Sequence, residues 1–278
     1  MGMRVTTNIA ALNAQRNLVT SQMNLRDSFA KLSSGSRINK AADDAAGLAI
    51  SEGLKAQIRS ARQANRNAND GISMVQVAEG GLNEIGNIVV RMRELGIQAA
   101  SDTVGEKERG FIDTEIQQLK NEVERISKVT TWGTSKLLDG TSPTFDFQVG
   151  IFNNSFEDRI SFDAGKNVAT TDALKISGLD YKSKEGAQSG LETLDAAQNQ
   201  INGMRSNLGA LQNRLQSTTN NLAVSEENLS AANSRIRDTD VAETSAELTR
   251  NNILLQAGTA ALAQANQMNS VALSLIKG

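Results

Sequence analysis

Residues 201–237, INGMRSNLGALQNRLQSTTNNLAVSEENLSAANSRIR, decide how this chain folds. Ile201, Leu208, Leu215, Leu222, Leu229 and Ile236 recur every seven positions, with Met204, Leu211, Thr218, Ser225 and Ala232 between them. Five such steps lay one apolar seam along a single helix, the pattern of coiled-coil-like packing. Polar Thr218 and Ser225 loosen the seam midway. A helix is therefore expected over 191–235, its seam forming the internal core of a rod.

Working outward, the C-terminal run Asn251–Ile276, NNILLQAGTAALAQANQMNSVALSLI, has no charged residue, and ten of its 26 positions are Asn, Gln, Ser or Thr. That polar content argues against a bilayer span, which wants about 20 predominantly apolar residues. Leu254, Gly258, Ala261, Ala265, Met268, Ala272 and Leu275 make a stripe of mostly small residues at helical spacing, suited to close helix–helix contact. The other end has the same character. Residues 5–32 read as a helix with Leu18, Leu25, Phe29 and Leu32 on one side, and only Arg4 and Arg16 carry charge before Arg26. Ser33-Ser34-Gly35 supplies its stop. Such stripes serve an intramolecular bundle as well as an assembly, and two sparsely charged ends together favour assembly.

Between the ends, residues 36–56 read as an irregular link containing Gly47 and Gly53. A long helix follows over 57–100, where Met74, Ala78, Gly81, Ile85, Ile88, Met92, Leu95 and Ala99 keep a four/three rhythm that Val75, Leu82 and Val89 widen. After a break at Ser101–Gly105 a helix is expected over 106–129, with Ile112, Ile116, Leu119, Val123 and Ile126 on one face, closing an antiparallel hairpin. The insert 132–190 differs. Phe145, Phe147 and Val149 alternate with polar residues, and Ile160 and Phe162 repeat the pattern after Asn153-Asn154-Ser155, which argues for β-hairpins. No element can be assigned over 164–190. The expected fold is mainly α: a discontinuous antiparallel helical bundle with a small β-hairpin insert at its tip. Terminal helices fall in 1–42 and 236–278, and a rod spans 43–235.

Composition narrows the function. With 29 basic and 31 acidic residues the net charge is -2, which gives no electrostatic footprint for nucleic acid. Histidine and cysteine are absent, removing the commonest metal ligands, the usual neutral-pH proton shuttle and thiol chemistry. The single proline, Pro143, leaves long helices uninterrupted elsewhere. The N-terminus lacks the apolar core of a cleavable signal peptide, so export would retain this end. Asp43-Asp44 suggests an acid–base pair, but adjacent side chains do not face one another on a helix, and a charged helix N-terminal turn is the better reading. No catalytic group, cofactor or metal site is expected.

Several long stretches resemble bacterial flagellin, the subunit of the flagellar filament: Leu32–Glu52 (LSSGSRINKAADDAAGLAISE), Asn65–Gly80 (NRNANDGISMVQVAEG), Arg91–Ala100 (RMRELGIQAA), Ile236–Val241 (IRDTDV) and the C-terminal run. In the centre only Phe147–Gly150 (FQVG) matches, and the large outer domains of longer flagellins are missing. The resemblance implies terminal helices paired in the inner tube of the filament, a helical rod outside them, and self-assembly into an extracellular polymer for swimming. It also implies partners: the flagellar export apparatus, an export chaperone, and hook-associated junction and cap proteins, with no membrane insertion. A hook–filament junction protein is the nearest alternative. In flagellins that an animal Toll-like receptor detects, the RxRELxxQ helix and an acidic residue on the next helix make contacts. The matching positions are Arg91, Leu95 and Glu115, with Gly96 where Ala is more usual. The zinc protease that some flagellins carry in this insert needs His-Glu-x-x-His, which a chain without histidine cannot supply.

Overall fold

The computed structural model describes residues 7–277, with side chains described through residue 267. Five long helices and two small hairpins account for the fold: α1 (Ile9–Ser34), α2 (Ala45–Ala99), α3 (Glu106–Val129), β1 (Thr131–Trp132), β2 (Ser135–Lys136), β3 (Thr144–Gln148), β4 (Arg159–Asp163), α4 (Lys184–Arg237) and α5 (Val241–Lys277). The chain divides into two compact units. One gathers the chain ends, up to residue 56 and from residue 228, and the other spans 57–227.

The 57–227 unit holds the main hydrophobic core. On α2 the buried residues Ala68, Val75, Ala78, Leu82, Ile85, Val89, Met92, Leu95 and Ala99 follow the three/four spacing that one helix face requires. Met74 widens the stripe, which lets α2 serve more than one neighbour. From α3 come Ile112, Ile116 and Val123, and from α4 come Leu194, Ala197, Ile201, Met204, Leu208 and Leu215. The heptad seam of α4 is fully buried only as far as Leu215; Leu222, Leu229 and Ile236 are half-buried.

The longer hairpin, β3–β4, obeys period-two logic. In β3–β4 the register sets Phe145 against Phe162 and Phe147 against Ile160, and the first pair stacks with ring centroids 6.0 Å apart. Gly71 on α2 lets the Phe147 ring lie flat on that helix, because a Cβ there would stand 3.1 Å from the ring. The β1–β2 turn uses Gly133 at φ +60°, a left-handed conformation that glycine adopts freely.

Three segments differ from the sequence expectation. Residues 36–56 are not an irregular link throughout: α2 starts at Ala45, where the Asp44 carboxylate accepts the Gly47 N–H at 2.8 Å and caps the helix. The unassigned stretch after residue 164 is core. Leu174, Ile176, Leu179 and Tyr181 are all buried there without regular structure, which is why no periodicity announced them. Finally α4 begins at Lys184 rather than 191, with Ser183 Oγ accepting the Gly186 N–H at 3.0 Å as its cap.

Candidate functional site

The chain-end unit is built around two reversals that lock together. Helix α1 ends where Gly35 takes φ +68°, closing the helix in a left-handed turn. The following residues meet the α4–α5 corner: Ser36 bridges to Asp238, the Arg37 N–H donates to the Arg237 carbonyl at 2.6 Å, and the Thr239 N–H donates to the Gly35 carbonyl at 3.0 Å. Ile38, next along the chain, is buried with its Cδ1 beside Gly47 of α2. Ser51 Oγ donates to Asn233 Oδ1 at 2.8 Å, and Arg237 pairs with Glu52. Asp240 caps α5, its Oδ1 accepting the Ala242 and Glu243 N–H groups at 2.8 and 3.2 Å. The quoted stretches Leu32–Glu52 and Ile236–Val241 are thus partners in space. Asp43 has a purely local duty. Its Oδ2 accepts the Asn39 and Lys40 N–H groups, both at 2.9 Å, and these bonds hold its pKa below the usual carboxylate range.

Helices α1 and α5 then run antiparallel along one another. Asn8 caps α1 by accepting the Ala11 N–H at 3.0 Å, and it also donates to the Ala265 carbonyl at 2.9 Å. Further along, Gly258 lies beside Leu18, to which an added Cβ would come no nearer than 3.7 Å. The covered stripes are Ala11, Ala14, Leu18, Ser21, Leu25, Ser28 and Leu32 on α1, with Ala30 and Lys31 partly covered beside them, and Thr244, Leu248, Asn251, Leu255, Gly258, Leu262 and Ala265 on α5. Both series step by three and four, so each helix commits one stripe to the other.

Of the residues singled out from sequence, Leu18, Leu25, Leu32, Gly258 and Ala265 lie on this seam. Phe29, 67 % exposed, does not, and neither do Leu254, 49 % exposed, and Ala261. Of the α5 residues named for polymerisation, Gly258 and Ala265 lie on the α1 seam, and Leu254 and Ala261 lie on the face that α1 leaves uncovered. The side chains of Met268, Ala272 and Leu275 lie outside those described. Sequence reading missed the outward faces. On α1, Ile9, Leu12, Val19 and Met23 are exposed, on the side of the helix roughly opposite Leu18 and Leu25; on α5, Ile253 and Leu254 are exposed beside Ala257, Ala260 and Ala261. Apolar residues all round a helix signal burial from more than one side.

A second candidate surface lies on α2 and α3. Arg91 donates to Glu115 at 3.0 and 3.2 Å and to Glu94 at 3.2 Å, and these bonds raise its pKa further above the ordinary arginine value. Arg91 and Glu115 are both exposed. Leu95, in contrast, is 3 % exposed and belongs to the core, so a partner touching this surface would not reach it. Gly96 faces inward too: a Cβ there would stand 3.0 Å from both Leu191 and the Tyr181 hydroxyl. Among the described residues no group of three or more Asp, Glu, His or Cys could hold a metal ion, and no helix is long and apolar enough to cross a membrane.

Comparison with known proteins agrees with this geometry. The bacterial flagellin N-terminal helical region family matches residues 5–143, and the bacterial flagellin C-terminal helical region family matches 191–276. A flagellin of Halalkalibacterium halodurans is 45% identical over 99% of this chain and 100% of its own length. A flagellar filament core protein of Brachyspira hyodysenteriae is 41% identical, with coverage of 99% and 100%. Among solved structures, Bacillus cereus flagellin superposes with a TM-score of 0.50 at 29% identity, over 56% of this chain and 88% of that one. With both terminal helical regions matched and relatives aligned end to end, the chain belongs to the bacterial flagellin family.

Proposed function

We infer that this chain is the structural subunit of an extracellular bacterial flagellar filament and polymerises with copies of itself. The observation that carries the reading is the double-sided apolar character of the terminal helices. One stripe of each is covered inside the chain, and Ile9, Leu12, Val19 and Met23 with Ile253 and Leu254 remain in water. Full burial of such a side chain is worth roughly 1.5–3 kcal/mol, of which about half is still to be gained by these half-covered residues, and sister copies are the partner that a filament core protein provides. The paired helices α1 and α5, within the terminal regions 1–42 and 236–278, form the inner tube of the filament. Support for this placement comes from the sparse charge of the ends.

The protein performs no catalysis. It leaves the cell through the flagellar export apparatus, escorted by an export chaperone, and joins hook-associated junction and cap proteins at the filament ends. The relatives aligned over their whole length are named as flagellin and filament core protein, which favours the filament over a hook–filament junction role. An animal Toll-like receptor would read the Arg91–Glu115 pair; Arg91→Ala should then abolish signalling while filaments still form, and unchanged signalling would remove the idea.

Electron microscopy of concentrated protein tests the main reading. Long tubes are expected from the intact chain and none from a chain lacking its last ~30 residues. Tubes from both, or from neither, would overturn it.

A further inference from the structure

Two aromatic rings in the β3–β4 turn stand in water, Phe152 at 68 % and Phe156 at 83 % exposure. The turn that carries them is held at many points. Asp158, buried beneath it, accepts the Phe152 N–H at 3.3 Å and the Asn154 N–H at 2.8 Å. Asn154 Oδ1 accepts the Phe156 N–H at 3.0 Å, and Gln148 Nε2 donates to the carbonyls of Gly150 and Phe152 at 3.1 and 2.7 Å. A turn tied down in this way presents its rings without a large ordering cost on binding, and rigid aromatic side chains are the usual anchors of interfaces.

The same unit contains a matching hollow. A cavity of about 410 Å³ opens between β4 with its following turn and α4; Phe162, Leu208, Leu211 and Ala210 line it together with Arg214 and the Asp163–Lys166 ion pair. An apolar cavity of about 150 Å³ already holds benzene, so there is room for a phenyl side chain. The rings cannot enter the hollow of their own chain. Strand β4 separates them from it at ~3.3 Å per residue, and the Gln148–Arg159 to Thr144–Asp163 register pins the turn at the far end of the hairpin.

Charge agrees with shape. Glu157, exposed next to Phe156, and Arg214 at the edge of the hollow have no ion-pair partner among the described residues. A contact between two different patches of identical molecules is heterologous, and when its rotation does not close it propagates as a helical polymer. We propose that Phe156, with Phe152 beside it, seats in the β4–α4 hollow of the next copy in the filament, Glu157 meeting that copy's Arg214. The inference rests on the filament reading and names a contact that the terminal helices do not supply.

The test is the critical concentration for tube formation by the full-length chain, followed by sedimentation and microscopy. Phe152→Ala with Phe156→Ala should raise it about tenfold or more. Glu157→Arg and Arg214→Glu should each raise it, and the two together should bring it back towards the wild-type value. All four side chains are exposed, so unchanged thermal unfolding of the monomers confirms that folding is intact. An alanine variant that polymerises at the wild-type concentration, or a charge-swapped pair no better than its single variants, overturns the contact. Wild-type tube formation is the separate test of the filament itself.

Discussion

Tyr181 and Gly190 show how a single position governs the rod unit. The Tyr181 ring is fully buried between Gly96 on α2 and Gly190 on α4, and a Cβ on Gly190 would stand 2.7 Å from the ring. Alanine improves helix propensity by up to roughly 1 kcal/mol, whereas overpacking a core costs about 1–3 kcal/mol. Gly190→Ala is therefore expected to lower the unfolding midpoint, with Gly96→Ala nearer neutral because its contacts are looser. The Tyr181 hydroxyl has no hydrogen-bond partner among the described residues, and burial pushes its pKa from 10.0 to about 12. Between those values the unfolded chain ionises and the folded chain does not. Stability present below pH 10 thus falls as pH rises towards 12. Tyr181→Phe should abolish that alkaline loss and be neutral or stabilising near neutral pH, as pH-dependent melting would report. None of this was legible beforehand: Tyr181 lies in irregular backbone, and Gly96 stood out only as a glycine where Ala is more usual. Only the ring that fills its place explains it.

At the scale of elements, the long periodic helices were the readable part. The face of α3 named from sequence faces the core, and the wide α2 stripe is buried as expected, because burial on several sides leaves an apolar pattern that survives without a structure. Register within α5 was harder. Its apolar and small residues surround the helix, so Leu254 and Ala261 look as suited to the seam as Leu255 and Leu262, and the choice depends on what α1 presents. That distinction can be tested. Gly258 has room for a methyl group against Leu18, so Gly258→Ala should keep the α1–α5 pair and stiffen α5. Ala265 is 9 % exposed at the seam, and Ala265→Phe should force the two helices apart. Helix content by circular dichroism and tube formation by microscopy separate the two. Normal tubes from Ala265→Phe would contradict the packing described for this pair.

For the whole molecule, the division into units separates folding from assembly. The 57–227 unit closes its core with its own residues, from Ala68 on α2 to Leu215 on α4, whereas the chain-end unit has one buried seam and two faces still in water. Loss of the last ~30 residues takes away one side of that seam and none of the rod core. The chain has a single tyrosine, so the alkaline tyrosinate titration reports Tyr181 alone. In the truncated chain that titration should still sit near pH 12, as in the intact protein, while tube formation is lost. A midpoint back at the ordinary 10 would mean that the rod needs the terminal helices to fold, and the rod could then no longer be treated as a self-sufficient unit. Retained burial without polymerisation is what the distribution of apolar surface requires, because the rod closes its core with its own residues, although Phe111, Ile97 and Val224 stay exposed on its surface.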